Sequence, residues 1–240
     1  MRLGLGITIR NKNLLGGFSD PSSISGLQLW FQHNNGLTDS VGNTNSNIPD
    51  EGILDSWDYQ SGNNNHATGA GGDRPRYTSS DGSVNFKANV KFFSLTSTIN
   101  IASGEDFSFV FYVKNNNATV NSDTFVGDDT NDILIWWNTS QFSIRLTDAT
   151  TNNITGGASI TSTNYNTIMF VRTSGTIQLY VNGSAWGNSV TDNDAFTITT
   201  LGSESPEANN FHGWWKDMSY YNKALSTGEI SDLHTYLTNL

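Results

Sequence analysis

The sequence predicts an all-β fold: a two-sheet antiparallel sandwich with an extended N-terminal arm and one short C-terminal helix. Three observations predict it. Apolar and polar residues alternate at period two, clusters of Asn, Gly and Asp separate the alternating runs, and only one segment carries helix signals. At 240 residues the chain suits one large β domain, long enough to bury roughly 70% of its surface on folding.

Residues 1–26 are rich in Gly and Ser, with Pro21 among them, and read as the arm. Leu14, Leu15 and Phe18 are its apolar residues and the candidates for docking on a partner. Residues 27–240 read as the sandwich. Strands are expected at Leu27–Gln32, Val84–Phe86, Ile133–Trp137, Ile168–Arg172, Phe196–Leu201 and Trp214–Tyr221. Phe107, Phe109, Phe111 and Val113 fall on one face, with Ser108, Val110 and Tyr112 on the other. Phe142, Ile144 and Leu146 alternate with Gln141, Ser143 and Arg145. The run Ile177–Val181 ends at Asn182-Gly183, a hairpin signal because both residues tolerate positive φ. Ser226-Thr227-Gly228-Glu229 is a capping box that starts a helix over about 226–237. Leu225 and Ile230 form its staple, and Leu233 and Leu237 continue the apolar face.

Composition excludes several function classes. The net charge is −10, with 12 Lys and Arg against 22 Asp and Glu, a poor basis for binding nucleic acid. Cysteine is absent, so neither disulfides nor thiol chemistry arise. The start, Met1 to Arg10, lacks the long apolar core and cleavage site of an export signal. No run approaches the roughly 18 apolar residues of a membrane span. A soluble protein with no membrane insertion, made without the secretory route, is expected.

Three segments together resemble the laminin G-like, concanavalin A-like jelly-roll superfamily. They are Trp57-Asp58-Tyr59-Gln60-Ser61-Gly62-Asn63-Asn64-Asn65-His66-Ala67, then Ile177-Gln178-Leu179-Tyr180-Val181-Asn182-Gly183, and finally Phe211-His212-Gly213 with Asp217–Ser226 and Glu229-Ile230. The resemblance implies two curved antiparallel sheets of roughly six or seven strands each, packed face to face. Members range from glycan binders to glycosidases and viral structural proteins, so the fold leaves function open.

Catalytic signatures are missing. Glycosidases of this fold carry Glu-x-Asp-x-x-Glu on a strand, and none of Glu51, Glu105, Glu204, Glu207 or Glu229 lies in such an array. The four histidines lack metal-ligand spacing, and there is no Gly-x-Ser-x-Gly elbow. His66 and His212 read as structural hydrogen-bonding residues. No catalytic residue and no required cofactor is expected. Calcium is the one ion the loops admit, at Asp128, Asp129, Asn131 and Asp132, with Asp192 and Asp194 a weaker site. Trp136-Trp137 and Trp214-Trp215 should each send one indole to the core and one outward. The outward rings, with Trp137 and Trp214 the candidates, could stack on a sugar, meet a sister subunit or be covered by the chain itself.

These readings set two expectations. The first is a non-catalytic bacteriophage virion structural protein, a capsid decoration or tail-associated component. It would be made in the host cytoplasm, displayed on the virion surface, and bound to other virion proteins and to its own copies as a homo-oligomer. The alternative is a carbohydrate-binding, host-receptor recognition module of a tail fibre or adhesin.

Overall fold

Period-two alternation lets a strand bury one face, and stacking two such sheets buries both inner faces. A computed structural model describes residues 18–62, 64–87, 91–116, 122–128, 132–147, 150–203 and 209–240, apart from the side chains of Asp132 and Trp137. Leu14, Leu15, Asp129, Asn131, Glu204 and Glu207 therefore lie outside the described residues.

Among the described residues the strands are β1 (Leu27–Phe31), β2 (Leu37–Asp39), β3 (Leu54–Trp57), β4 (Ala67–Thr68), β5 (Arg76–Thr78), β6 (Ser83–Asn85), β7 (Phe93–Ile101), β8 (Phe107–Asn115) and β9 (Asp123–Gly127). They continue with β10 (Asp132–Asn138), β11 (Gln141–Ile144), β12 (Asn152–Thr155), β13 (Asn166–Thr173), β14 (Thr176–Val181), β15 (Ser184–Thr191), β16 (Phe196–Leu201) and β17 (Gly213–Tyr221), and the helix α1 is Thr227–Leu237. The first sheet has eight strands in the order β15-β14-β13-β8-β17-β6-β5, with β1 also paired to β17. The second has nine, β12-β11-β10-β9-β16-β7-β4-β3-β2. The sheets are wider than the expected six or seven strands because strands of two to four residues, such as β4 and β5, extend them.

Aromatic rings join the two sheets. Phe111 of β8 meets Phe125 of β9 with centroids 4.6 Å apart, and Phe31 of β1 meets Trp57 of β3 at 5.4 Å. Phe107 faces Phe196, and Phe170 faces both Phe125 and Phe142. Each fully buried Phe contributes roughly 1.5–3 kcal/mol by leaving water, and paired rings add about 0.5–1.5 kcal/mol.

The face opposite this core is partly covered as well. Val110 and Tyr112 of β8, with Met169 and Val171 of β13, pack under Ile230, Leu233 and Leu237 of α1. The helix begins as expected: Ser226 Oγ accepts from the Glu229 N–H at 3.3 Å, and Glu229 accepts from the Ser226 N–H at 2.8 Å. Residues ahead of β1 join this second cluster, with Ile24 buried and Phe18 edge-to-face on Tyr236 at 6.2 Å. The hairpin after β14 also forms as read, with Asn182 and Gly183 at φ of 50° and 79°.

Phe125 touches Phe111, Trp136, Phe142, Phe170, Phe211 and Trp215. Phe125→Ala is expected to cost about 3–5 kcal/mol in urea unfolding. A loss under 1 kcal/mol would show that the rings do not carry the sheet interface.

Candidate functional site

The tryptophan pair on β17 divides as strand geometry requires. Trp215 is fully buried and packs against Phe86, Phe111 and Phe211. Trp214 points to the opposite face and is half-buried. Gly213 makes this possible, since a Cβ there would overlap the Lys114 carbonyl oxygen on β8. After Trp215 the register with β8 shifts by a bulge, so Met218 and Tyr220 return to the core.

Trp214 lines a cleft of about 380 Å³ with Arg76 and Thr78 of β5, Asn85 of β6, Lys87 and Glu51. Its Nε1–H donates to Thr78 Oγ1 at 3.1 Å, which fixes the ring's angle on the sheet. Lys114 Nζ lies 4.6 Å from the ring centroid and Lys87 Nζ 5.6 Å. Glu51 sits at φ 60° and is the only described residue in the left-handed region that is not Gly, Asn or Ser. It is held there by its N–H on the Tyr77 carbonyl at 2.8 Å and by Arg76 Nη1 on its own carbonyl at 2.8 Å. Backbone strain of this kind concentrates at ligand sites.

Beside the cleft, Lys114 and Lys216 lie over the Tyr165 ring at 4.6 and 4.8 Å. Asp81 serves this group, accepting from Tyr165 Oη at 2.8 Å, Ser83 Oγ at 2.6 Å and Lys114 Nζ at 3.3 Å. These bonds hold its carboxyl below the usual carboxylate range against the opposing effect of burial.

A larger cleft of about 640 Å³ lies at one end of the sandwich, lined by Gly156–Thr161, Tyr165 and the turn between β14 and β15. Its tryptophan is already engaged. Gly157 packs so closely on the Trp186 indole that no Cβ would fit, and Trp186 Nε1 donates to the Ala158 carbonyl at 2.8 Å. The smaller cleft instead offers the half-buried Trp214 ring, covered by the ammonium groups of Lys114 and Lys87.

The remaining sequence candidates fall elsewhere. The side chain of Trp137 is outside the described residues. Asp128 lines a separate shallow cleft with Glu105 and Thr147, and no described group of His, Asp and Glu could hold a metal ion. Asp192 and Asp194 are engaged by protein donors: Asn152 on Asp192 at 2.8 Å and Thr147 on Asp194 at 3.3 Å. His66 Nδ1 lies 2.9 Å from Asp58, and Asn65 ties the same loop to Ser97 through both backbone groups. His212 Nδ1 meets buried Asp123 at 2.9 Å, and that carboxylate raises the imidazole's pKa while also accepting the His212 N–H. His212 thus fastens its loop by hydrogen bonds, as its sequence context implied, whereas His66 Nδ1 sits beside Asp58 without a hydrogen bond and Asn65 does the fastening there. No sequence signal marked Arg76, Lys87 or Glu51, which reach the cleft from separate segments.

Asp217 has the titration of a catalytic acid without the access. It is fully buried on β17, and burial lifts its pKa from 3.8 to about 7. The Trp30 indole donates to it at 3.1 Å and the His33 N–H at 3.2 Å. It lines none of the clefts described here.

Residues 87–231 match the laminin G-type family described as the concanavalin A-like lectin/glucanases superfamily, and the chain belongs to that family. Among solved structures it resembles the receptor binding domain of botulinum neurotoxin D, at 15% identity and a TM-score of 0.59, over 88% of this chain and 52% of that one. It also resembles the binding domain of Paraclostridial Mosquitocidal Protein 1, at 16% identity and a TM-score of 0.56, over 77% and 50%. A third likeness is Trypanosoma rangeli sialidase in complex with sialic acid, at 15% identity and 0.54, over 88% and 33%. The chain spans about a third to a half of the solved chains it resembles. At these identities the likeness is one of fold. No curated protein sequence matches.

Because the pKa of Asp217 is raised, its contribution to stability is present below about pH 4 and lost as pH rises through about 7. Asp217→Asn is expected to flatten that fall, of order a few kcal/mol, when urea midpoints are compared across pH. An unchanged slope would remove Asp217 as its source.

Proposed function

We propose that this chain is a non-catalytic recognition domain that binds a carbohydrate in the Trp214 cleft. The observation that carries the reading is the indole itself. It stands half-exposed on the outer face of a rigid sheet, angled by Thr78 and ringed by hydrogen-bonding side chains. An aromatic face takes the C–H side of a sugar ring, while Asn, Thr and Arg groups meet its hydroxyls. Two of the solved structures of this fold are named as binding or receptor binding domains, which supports recognition as its use here.

Catalysis is a weaker reading on physical grounds. The one described carboxyl raised to about pH 7, Asp217, has no route to a substrate. Placement on a phage virion, bound to capsid or tail proteins and to its own copies, is motivated by the acidic, cysteine-free composition and the arm. Leu14 and Leu15 lie outside the described residues, and Phe18 packs on the chain's own Tyr236. The recognition reading rests on side chains in place and is preferred.

The test is a glycan array probed with the full chain and with Trp214→Ala. The unaltered chain should bind a defined set of glycans and the variant should lose at least ten-fold in affinity. Its thermal midpoint, followed in parallel, separates lost binding from lost folding. Equal binding by a folded variant would sink the assignment of the cleft.

A further inference from the structure

We propose that the Trp214 cleft selects a sugar bearing an anionic group, a carboxylate or a sulfate ester, over its neutral counterpart; this rests on the sugar-binding reading above. The charge distribution carries it. The whole chain has 22 acidic and 12 basic residues. Scattered at random, its few cations would sit among an excess of carboxylates. Instead, of the nine Lys and Arg in the described residues, five gather here. Arg76, Lys87 and Lys91 line the cleft, Lys114 lies over the Trp214 ring, and Lys216 shares Tyr165 with Lys114.

The local carboxylates leave that charge incompletely answered. Asp50 keeps its charge but is held on Ser79, by the N–H at 2.9 Å and the hydroxyl at 3.1 Å, so with Glu51 and Asp81 three carboxylates stand against the five cations. Glu51 is 3.8 Å from Arg76 Nε, a long and exposed ion pair worth little. Asp81 already holds Lys114, Ser83 and Tyr165, and acts on Lys216 only through its longer-range field. No described ion pair engages Lys87 or Lys216. Lys87 is exposed and meets the Trp214 ring only at 5.6 Å. A contact of this kind is worth about 0.5–1 kcal/mol at the surface, so a ligand can displace it cheaply. The ammonium would then trade a ring face for an anionic oxygen, while the freed indole takes the sugar. Arg76, with its planar fork, suits the same oxygens.

Shape and field limit the ligand to a short one. A cleft of about 380 Å³ is at the small end for ligand sites. Away from the cleft the excess negative charge of the chain, −10 in total, would repel an extended polyanion at low salt, where the screening length is about 30 Å. A terminal acidic sugar presents its charge only to the cations.

The full chain should be titrated with glucuronic acid, glucose 6-sulfate, glucose and acetate, in low and in moderate salt, following the Trp214 indole N–H by NMR. Either acidic sugar is expected to bind at least ten-fold tighter than glucose in low salt, with the advantage shrinking as salt rises. Whichever acid is preferred assigns carboxylate or sulfate. Lys87→Gln should bring the acidic sugar down to the level of glucose, whereas Arg145→Gln, the same charge loss elsewhere, should retain the preference. Equal affinity for glucose and both acids would overturn the inference and leave the sugar-binding reading standing. Acetate binding as tightly as glucuronic acid, or no sugar moving the Trp214 signal, would overturn both.

Discussion

The structure depends on one layer of aromatic rings shared between two sheets. Each sheet alone would expose a broad apolar face, and the rings close the gap at every level of the sandwich. Phe31 and Trp57 do so at one end, Phe111, Phe125 and Trp215 at the centre, and Phe107 and Phe196 further along. Disulfides cannot substitute for this, since the chain has no cysteine. The same layer fixes the functional face. Once Trp215 is committed to the core, its neighbour Trp214 has only the outside to occupy.

That outer face is divided between two uses. Helix α1 covers β8 and β13 with Ile230, Leu233 and Leu237, giving part of the first sheet a second apolar layer. The part nearer β6 and β5 is left to Trp214, Tyr165 and the lysines around them. Fold and charge pattern therefore agree. The part of the sheet without a covering helix carries a polar cleft with an aromatic floor, and five of the nine cations in the described residues gather there.

Much of this was legible in the sequence. The strands with clear alternation, β8, β11, β14 and β16, lie where their patterns put them, and the capping box at Ser226 marked the start of α1. The unread strands lack that signal for physical reasons. β9 is buried throughout, so no polar position alternates, and β7 buries firmly only its two ends. The bulge after Trp215 shifts the phase of β17, which period-two counting cannot foresee. Trp214 could be read as outward from its pairing with Trp215. Its partners could not, because Glu51, Arg76 and Lys87 meet only when β5 and β6 join the sheet beside β17. Of the expected acidic loop at Asp128–Asp132, Asp128 stands apart from this cleft and Asp132 begins β10.

The most direct measurement of the central claim follows all seven tryptophan indole N–H signals in one NMR spectrum while a glycan identified on the array is added. If Trp214 is the platform, its signal shifts first and furthest, while the buried indoles of Trp57, Trp136 and Trp215 stay in place. Binding that leaves Trp214 unmoved and shifts Trp186 instead would relocate recognition to the larger cleft and contradict the account.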